Sequence, residues 1–298
     1  MGLLQIGGWA NQQGVNRLGS PPVVAGAAAA PAGPASREVD DASVSGQLYY
    51  WFKEEGLEVS VPGTSGLGNW NDSSQTQETA AKRNNSPNEP KVASGVDGIN
   101  GLDTAYCLDA ASDWCFFETT PVGGDVGITQ FQGTNKPFTF FCVFEAHQTT
   151  AFQNVFSLCK YTDNNDGQRQ FFVHSEGRLG YFERDDVNVD WRNIGGQSSD
   201  LDNKVAVNTP SLMTFATSAD GTTIRGWKNN VEWTISPSGL EIGGCSPIDL
   251  GIGVNADSNL DSVFTGKIGE IVMYASGMTQ TEVEEVGQGL MTKWAITA

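Results

Sequence analysis

The chain has 298 residues and a mass of 31.8 kDa, length for one large domain or two small ones and enough to bury a real core. Lys and Arg number 17 against 35 Asp and Glu, a formal charge of −18 with a pI near 4.3, and no window holds the dense basic cluster that reading nucleic-acid phosphates or binding an anionic membrane surface requires. Both are excluded as expected partners, and with no run of about 18 consecutive apolar residues a membrane-spanning helix is excluded as well.

The first stretch, MGLLQIGGWANQQG, lacks a basic n-region, and Gln5, Gly7 and Gly8 interrupt its apolar run, so no secretory signal is expected. Residues 1–47 contain the tract PPVVAGAAAAPAGPAS, too poor in core-forming groups to fold alone, and read as an extended assembly arm. Leu3, Leu4, Ile6 and Trp9 near its tip are its expected apolar anchors on a partner.

From residue 48 the pattern becomes strand, turn, strand. LYYWF opens the domain, and FTFFCVFEA (138–146) is almost continuously apolar, as a central strand covered on both faces should be. NVFSLCKY leads to the turn TDNNDG; RQFFVHSEGRLGYFERDD predicts a hairpin around Ser175, Glu176 and Gly177. Three more strands follow in 211–236, broken at Asp220-Gly221 and Asn229-Asn230, then PIDLGIGV and GKIGEIVMY. One helix closes the chain. Thr279 and Glu282 have capping-box spacing, Val283, Val286, Leu290 and Trp294 share one face, and Glu285 is expected to point to solvent. Many short strands with one helix predict an all-β antiparallel sandwich or barrel.

Five cysteines (Cys107, Cys115, Cys142, Cys159, Cys245) are an odd number without metal or redox spacing, and are expected to be buried reduced thiols. His147 and His174 fall in strand-like runs and no Gly-x-Ser-x-Gly elbow exists, so a nucleophile triad is not expected. The glycines of GIGVNA precede a turn, Asp257-Ser258-Asn259, where a dinucleotide fingerprint needs a helix.

The closing run VFTGKIGEIVMYASGMTQTEVEEVGQGLMTKWAI, through Phe264, Gly266, Ile268, Glu270, Ile271, Tyr274, Lys293 and Trp294, resembles the end of laminin-G-like, concanavalin A-like lectin/glucanase domains. Trp70-Asn71-Asp72-Ser73 resembles their opening Trp-x-Asp-x-Ser. The resemblance covers 48–298 and implies a concanavalin A-like jelly-roll sandwich with one C-terminal helix, preceded by the arm of residues 1–47. Fold does not fix activity. Hydrolase relatives carry Glu-x-Asp-x-Glu or Glu-x-Asp-x-x-Glu along one strand, because nucleophile and acid are separate carboxylates. Here Glu183-Arg184-Asp185 is followed by Val187 and Asn188, and Glu38-Val39-Asp40 by Ala42 and Ser43, so no glycosidase activity is expected.

Lectin-like sandwiches often hold calcium on a loop rim. Asp257 and Asp261 are the candidate ligands, although turn duty explains such Asp/Asn-rich loops by itself. For a glycan, Trp191 between Asp190 and Arg192 is the most loop-like aromatic, with Trp227 and Trp233 assigned to the core or to cross-strand pairs. Similar domains are frequent in tailed-phage virions. The resulting expectation is a non-enzymatic virion structural protein, a capsid decoration or tail-appendage subunit, made in a host cytoplasm. Its partners would be other virion proteins, copies of itself and host-surface polysaccharide; the alternative is a glycan-binding adhesin module.

Overall fold

The structure, a computed structural model, describes residues 35–41, 44, 48–59, 66–74, 79–82, 91–107, 117–119, 129–133, 135–159, 168–184, 191–195, 203–233, 249–254 and 262–298. In chain order the strands are Leu48–Val59 (β1), Leu67–Asp72 (β2), Thr79–Lys82 (β3), Lys91–Gly95 (β4), Gly101–Cys107 (β5), Phe117–Thr119 (β6), Thr139–Ala146 (β7) and Gln153–Cys159 (β8). Then come Gln168–Val173 (β9), Leu179–Arg184 (β10), Trp191–Gly195 (β11), Pro210–Thr217 (β12), Ile224–Lys228 (β13), Val231–Trp233 (β14), Asp249–Ile252 (β15) and Gly266–Tyr274 (β16), followed by the helix Gln280–Lys293 (α1). One sheet runs β14-β13-β12-β7-β16-β1-β2-β3-β6 with β4 and β5 attached beside β16; the other runs β11-β10-β9-β8-β15. Among the described residues the named strands all pair antiparallel, in a two-sheet jelly-roll sandwich, with one isolated parallel bridge between Asn154 and Val263.

The period-2 pleat divides the apolar residues of the large sheet between two cores. Phe140, Cys142 and Phe144 of β7 enter the inter-sheet core with Phe156, Phe171 and Tyr181 of the smaller sheet. Phe141 and Val143 enter a second core, under α1, with Val283, Val286, Leu290 and Trp294. This explains why β7 is apolar at consecutive positions: neither face meets water.

The irregular step is in β16. Its register against β7 shifts between Ile268 and Glu270, a β-bulge at Gly269. Ile268 and Ile271 thereby both face the inter-sheet core, whereas Val272 and Tyr274 belong to the core under the helix. Gly269 lets the indole of Trp294 approach, since a Cβ there would lie 2.8 Å from the ring.

The expected turns are present: Glu176 and Gly177 at the β9–β10 hairpin, Gly221 between β12 and β13, and Asn229 and Asn230 between β13 and β14 all have positive φ. At the start of α1, the Thr279 N–H donates to Glu282 Oε2 at 2.8 Å and the Glu282 N–H to Thr279 Oγ1 at 3.3 Å, completing the capping box.

Two expectations need correction. Cys107 is disulfide-bonded, so the five cysteines are not all reduced; its partner is outside the described side chains, and Cys142 is a free buried thiol. Trp191 and Arg192 are not in a loop but begin β11, an edge strand, pairing with Arg184 and Glu183 of β10. Residues 34–298 form one compact unit. Val39 and Val44 are buried in the core under the helix, because a short run of β-branched side chains just after the Pro/Ala tract finds an apolar surface there.

Candidate functional site

The segment 35–41 lies as a strap along α1. The Arg37 N–H donates to the Glu285 carbonyl at 2.9 Å, and the Arg37 guanidinium pairs with Glu285 at 2.6 Å and with Glu282 at 3.9 Å. A Cβ at Gly289 would come within 2.4 Å of the Arg37 carbonyl, so this helix position must be glycine for the strap to pass. The Tyr274 hydroxyl donates to the Val39 carbonyl at 2.7 Å. Burial, reinforced by the Glu270 carboxylate, pushes that hydroxyl well above its ordinary range, which keeps it protonated as a donor. Glu285, expected in solvent, is thus a strap contact.

Beneath the strap, Glu270 is almost completely buried, turned toward α1 by the bulge. Its Oε1 accepts the Trp51 indole N–H at 2.6 Å; its Oε2 accepts the Trp294 indole N–H at 2.7 Å and Lys293 Nζ at 2.8 Å. Lys293 also reaches Glu54 at 2.8 Å. Burial by itself lowers the Lys293 pKa, but the two carboxylates outweigh it and the net shift is upward. A buried carboxylate is tolerable only when paired and hydrogen-bonded, and three donors meet that condition.

A pocket of about 300 Å³ opens between the strap and the last turn of α1, its walls including Ser36, Glu38, Trp51, Thr292, Lys293 and Glu270. The backbone of Trp51 is fixed by Asp72 of β2, whose Oδ1 accepts the Trp51 N–H at 2.7 Å and the Ser74 N–H at 2.8 Å. The ammonium of Lys53 sits 4.1 Å from the Trp51 ring centroid. A half-buried indole edged by hydroxyls and carboxylates presents flat apolar area beside hydrogen-bonding groups.

The sequence candidates lie elsewhere. Asp190, Asp257, Asp261, Leu3, Leu4, Ile6 and Trp9 are outside the described residues, and of Trp191 and Arg192 only the strand position is described. Trp227 and Trp233 are buried, in the helix-side and inter-sheet cores respectively. Glu183 points into the sandwich, 3.5 Å from the fully buried Arg169 and accepting from the Tyr181 hydroxyl at 3.1 Å. That setting makes it half of an internal ion pair instead of a nucleophile facing a substrate. His147 follows β7 and shares Glu145 Oε1 with Lys267, each at 3.0 Å. Among the described residues no group of three His, Cys, Asp or Glu side chains could hold a metal ion. Sequence reasoning missed Arg37, hidden beside a Pro/Ala tract, and Trp51, hidden in an aromatic strand. Glu270 and Lys293 were in plain view as signature residues, and one acidic residue inside GKIGEIVMY was the available signal.

No protein-family model and no curated protein sequence matches the chain. Among solved structures, domain 4 of AbnA, a GH43 extracellular arabinanase from Geobacillus stearothermophilus, superposes with a TM-score of 0.51 at 15% identity, over 81% of this chain and 98% of that one. The CBM40 of the Ruminococcus gnavus IT-sialidase gives 0.46 at 12% identity, over 56% of this chain and 90% of that one. A NanB sialidase from Streptococcus pneumoniae gives 0.43 at 17% identity, over 50% of this chain, and the match spans only 23% of the sialidase's length. At such identities the likeness is one of fold alone, and the arabinanase domain carries it.

Proposed function

We propose that this sandwich is a non-catalytic glycan-binding domain whose ligand site is the pocket between the strap and α1. The observation that carries the reading is the Trp51 indole set in a pocket of about 300 Å³ beside the hydroxyls of Ser36 and Thr292. The similar arabinanase domain was solved in complex with arabinotriose, which supports a sugar as the class of ligand. The internal ion pair of Glu183, and the lack of a second glutamate in either Glu-x-Asp run, support a binding role over hydrolysis. Affinity electrophoresis through gels containing arabinan, galactan, laminarin or agarose tests this: retardation by one of them without reducing-sugar release is expected. Sugar release above a heat-killed control, lost in Glu183→Gln, would contradict the non-catalytic part.

A second reading, that the domain is a virion subunit of laminin-G-like ancestry in a tailed phage, is favoured by one feature. The first thirty-three residues carry Leu3, Leu4, Ile6 and Trp9 in a stretch otherwise rich in Gly, Ala and Pro, and apolar groups of that kind suit contact with a partner. It implies synthesis in a host cytoplasm and disulfide formation at Cys107 after release. Stoichiometric presence in purified particles, lost on deletion of residues 1–33, is the expected result; incorporation of the truncated protein would contradict it.

A further inference from the structure

Resting on the glycan-binding reading, we infer that the pocket selects uncharged sugars over acidic ones and amino sugars. The inference follows from which charges on its walls are already committed. Arg37 is held by Glu285 and Glu282, and Lys293 by Glu270 and Glu54. The Trp51 N–H is given to Glu270. An incoming carboxylate or sulfate would have to displace one of these carboxylates, the buried Glu270 among them, to reach Arg37 or Lys293.

The groups left for a ligand are of the opposite character. The Glu38 carboxylate is exposed at the pocket wall and, with the Ser36 hydroxyl, makes no hydrogen bond or ion pair among the described residues. Thr292 gives its hydroxyl hydrogen to the Gln288 carbonyl at 2.8 Å and accepts a long bond from Gln288 Nε2 at 3.4 Å, which leaves one lone pair as an acceptor. The site therefore accepts hydrogen bonds and repels anions, and the net charge of −18 adds a long-range field of the same sign. Sugar hydroxyls donate to such acceptors while the ring covers the indole. An ammonium carried on a sugar ring that covers the indole would meet the Lys53 ammonium, 4.1 Å from the Trp51 ring centroid.

Calorimetric titration of the full chain at low ionic strength with arabinotriose, sialyllactose and a glucosamine oligomer tests this, alongside the exposed-site variant Glu38→Lys. Arabinotriose is expected to bind at least tenfold more tightly than either charged ligand, and Glu38→Lys to narrow or reverse the gap for sialyllactose. Equal or tighter binding of sialyllactose or the amino sugar by the unaltered chain would overturn the selectivity and leave the glycan-binding reading standing. Binding of none of the three, nor of any polysaccharide in the gels, would overturn the reading itself.

Discussion

Trp294, the residue after the last turn of α1, donates its indole N–H at 2.7 Å to Glu270, a carboxylate that a β-bulge turns out of the strand toward the helix. The bond joins the two ends of the C-terminal signature, and Lys293 and Trp51 complete it from either side. Glu270→Gln keeps the size but removes the charge and places an amide N–H₂ against groups that are themselves donors. Breaking one partner of a buried pair costs about 3–5 kcal/mol, and the urea midpoint should fall accordingly. An unchanged midpoint would mean that the cluster is energetically idle.

Trp294→Ala removes the ring over Gly269 as well as the hydrogen bond. Truncations of this type cost about 3–5 kcal/mol, a large share of the roughly 5–15 kcal/mol available to a domain. The melting temperature should drop sharply, while Thr281→Ala on the exposed side of α1 should stay within about 0.5 kcal/mol of the unaltered chain. Glu285→Gln, which a sequence-based expectation would treat as neutral, should instead loosen the strap through Arg37, and protease accessibility at Arg37 reads this directly.

The alkaline side of the stability profile should be the weak one. Cys142 is raised well above 9.0 by burial and by Glu270; Tyr274 is raised above 10.0 by burial first and Glu270 second; and Lys293 is raised above 10.5. In each case the folded state holds its proton more tightly than the unfolded chain. The stabilisation is therefore complete below the unfolded-state pKa and is lost as pH rises through it toward the folded value. Melting temperature should decline from about pH 9 upward through these groups, and a profile flat to pH 11 would contradict the burial of Cys142 and Tyr274 and the pairing of Lys293.

Thiol chemistry separates the two cysteines whose side chains are described. Cys142, buried in the inter-sheet core with its thiol held protonated, should resist iodoacetamide in the native protein and react on unfolding. Cys107 should be alkylated only after reduction, and reduction should cost about 2–4 kcal/mol of stability. Peptide mapping by mass spectrometry reads both.

Much of the fold was legible because period and capping are local. The consecutive apolar residues of β7 announced a strand with two covered faces, and Thr279 with Glu282 announced α1. The site was far less legible. The pocket forms where residues 36–38, Trp51 and Thr292 meet across more than 200 positions of sequence, and no local spacing encodes that meeting. The strap was illegible for a different reason: a Pro/Ala/Gly composition reads as an arm throughout, yet Val39 and Val44 are buried in the helix-side core. The resemblance identified Glu270, Lys293 and Trp294 without revealing that a bulge at Gly269 brings them together.

The central claim, that a sugar occupies the pocket between strap and helix, is tested most directly by closing the pocket without disturbing any buried bond. Ser36 and Thr292 are exposed on opposite walls, and the double variant Ser36→Leu, Thr292→Leu narrows the space while leaving the Glu270 cluster intact. Calorimetric titration with arabinotriose should show binding to the unaltered chain and at least a tenfold loss in the double variant, with the two melting temperatures within a few degrees of each other. Full affinity in the double variant would place the ligand elsewhere on the sandwich and contradict the account.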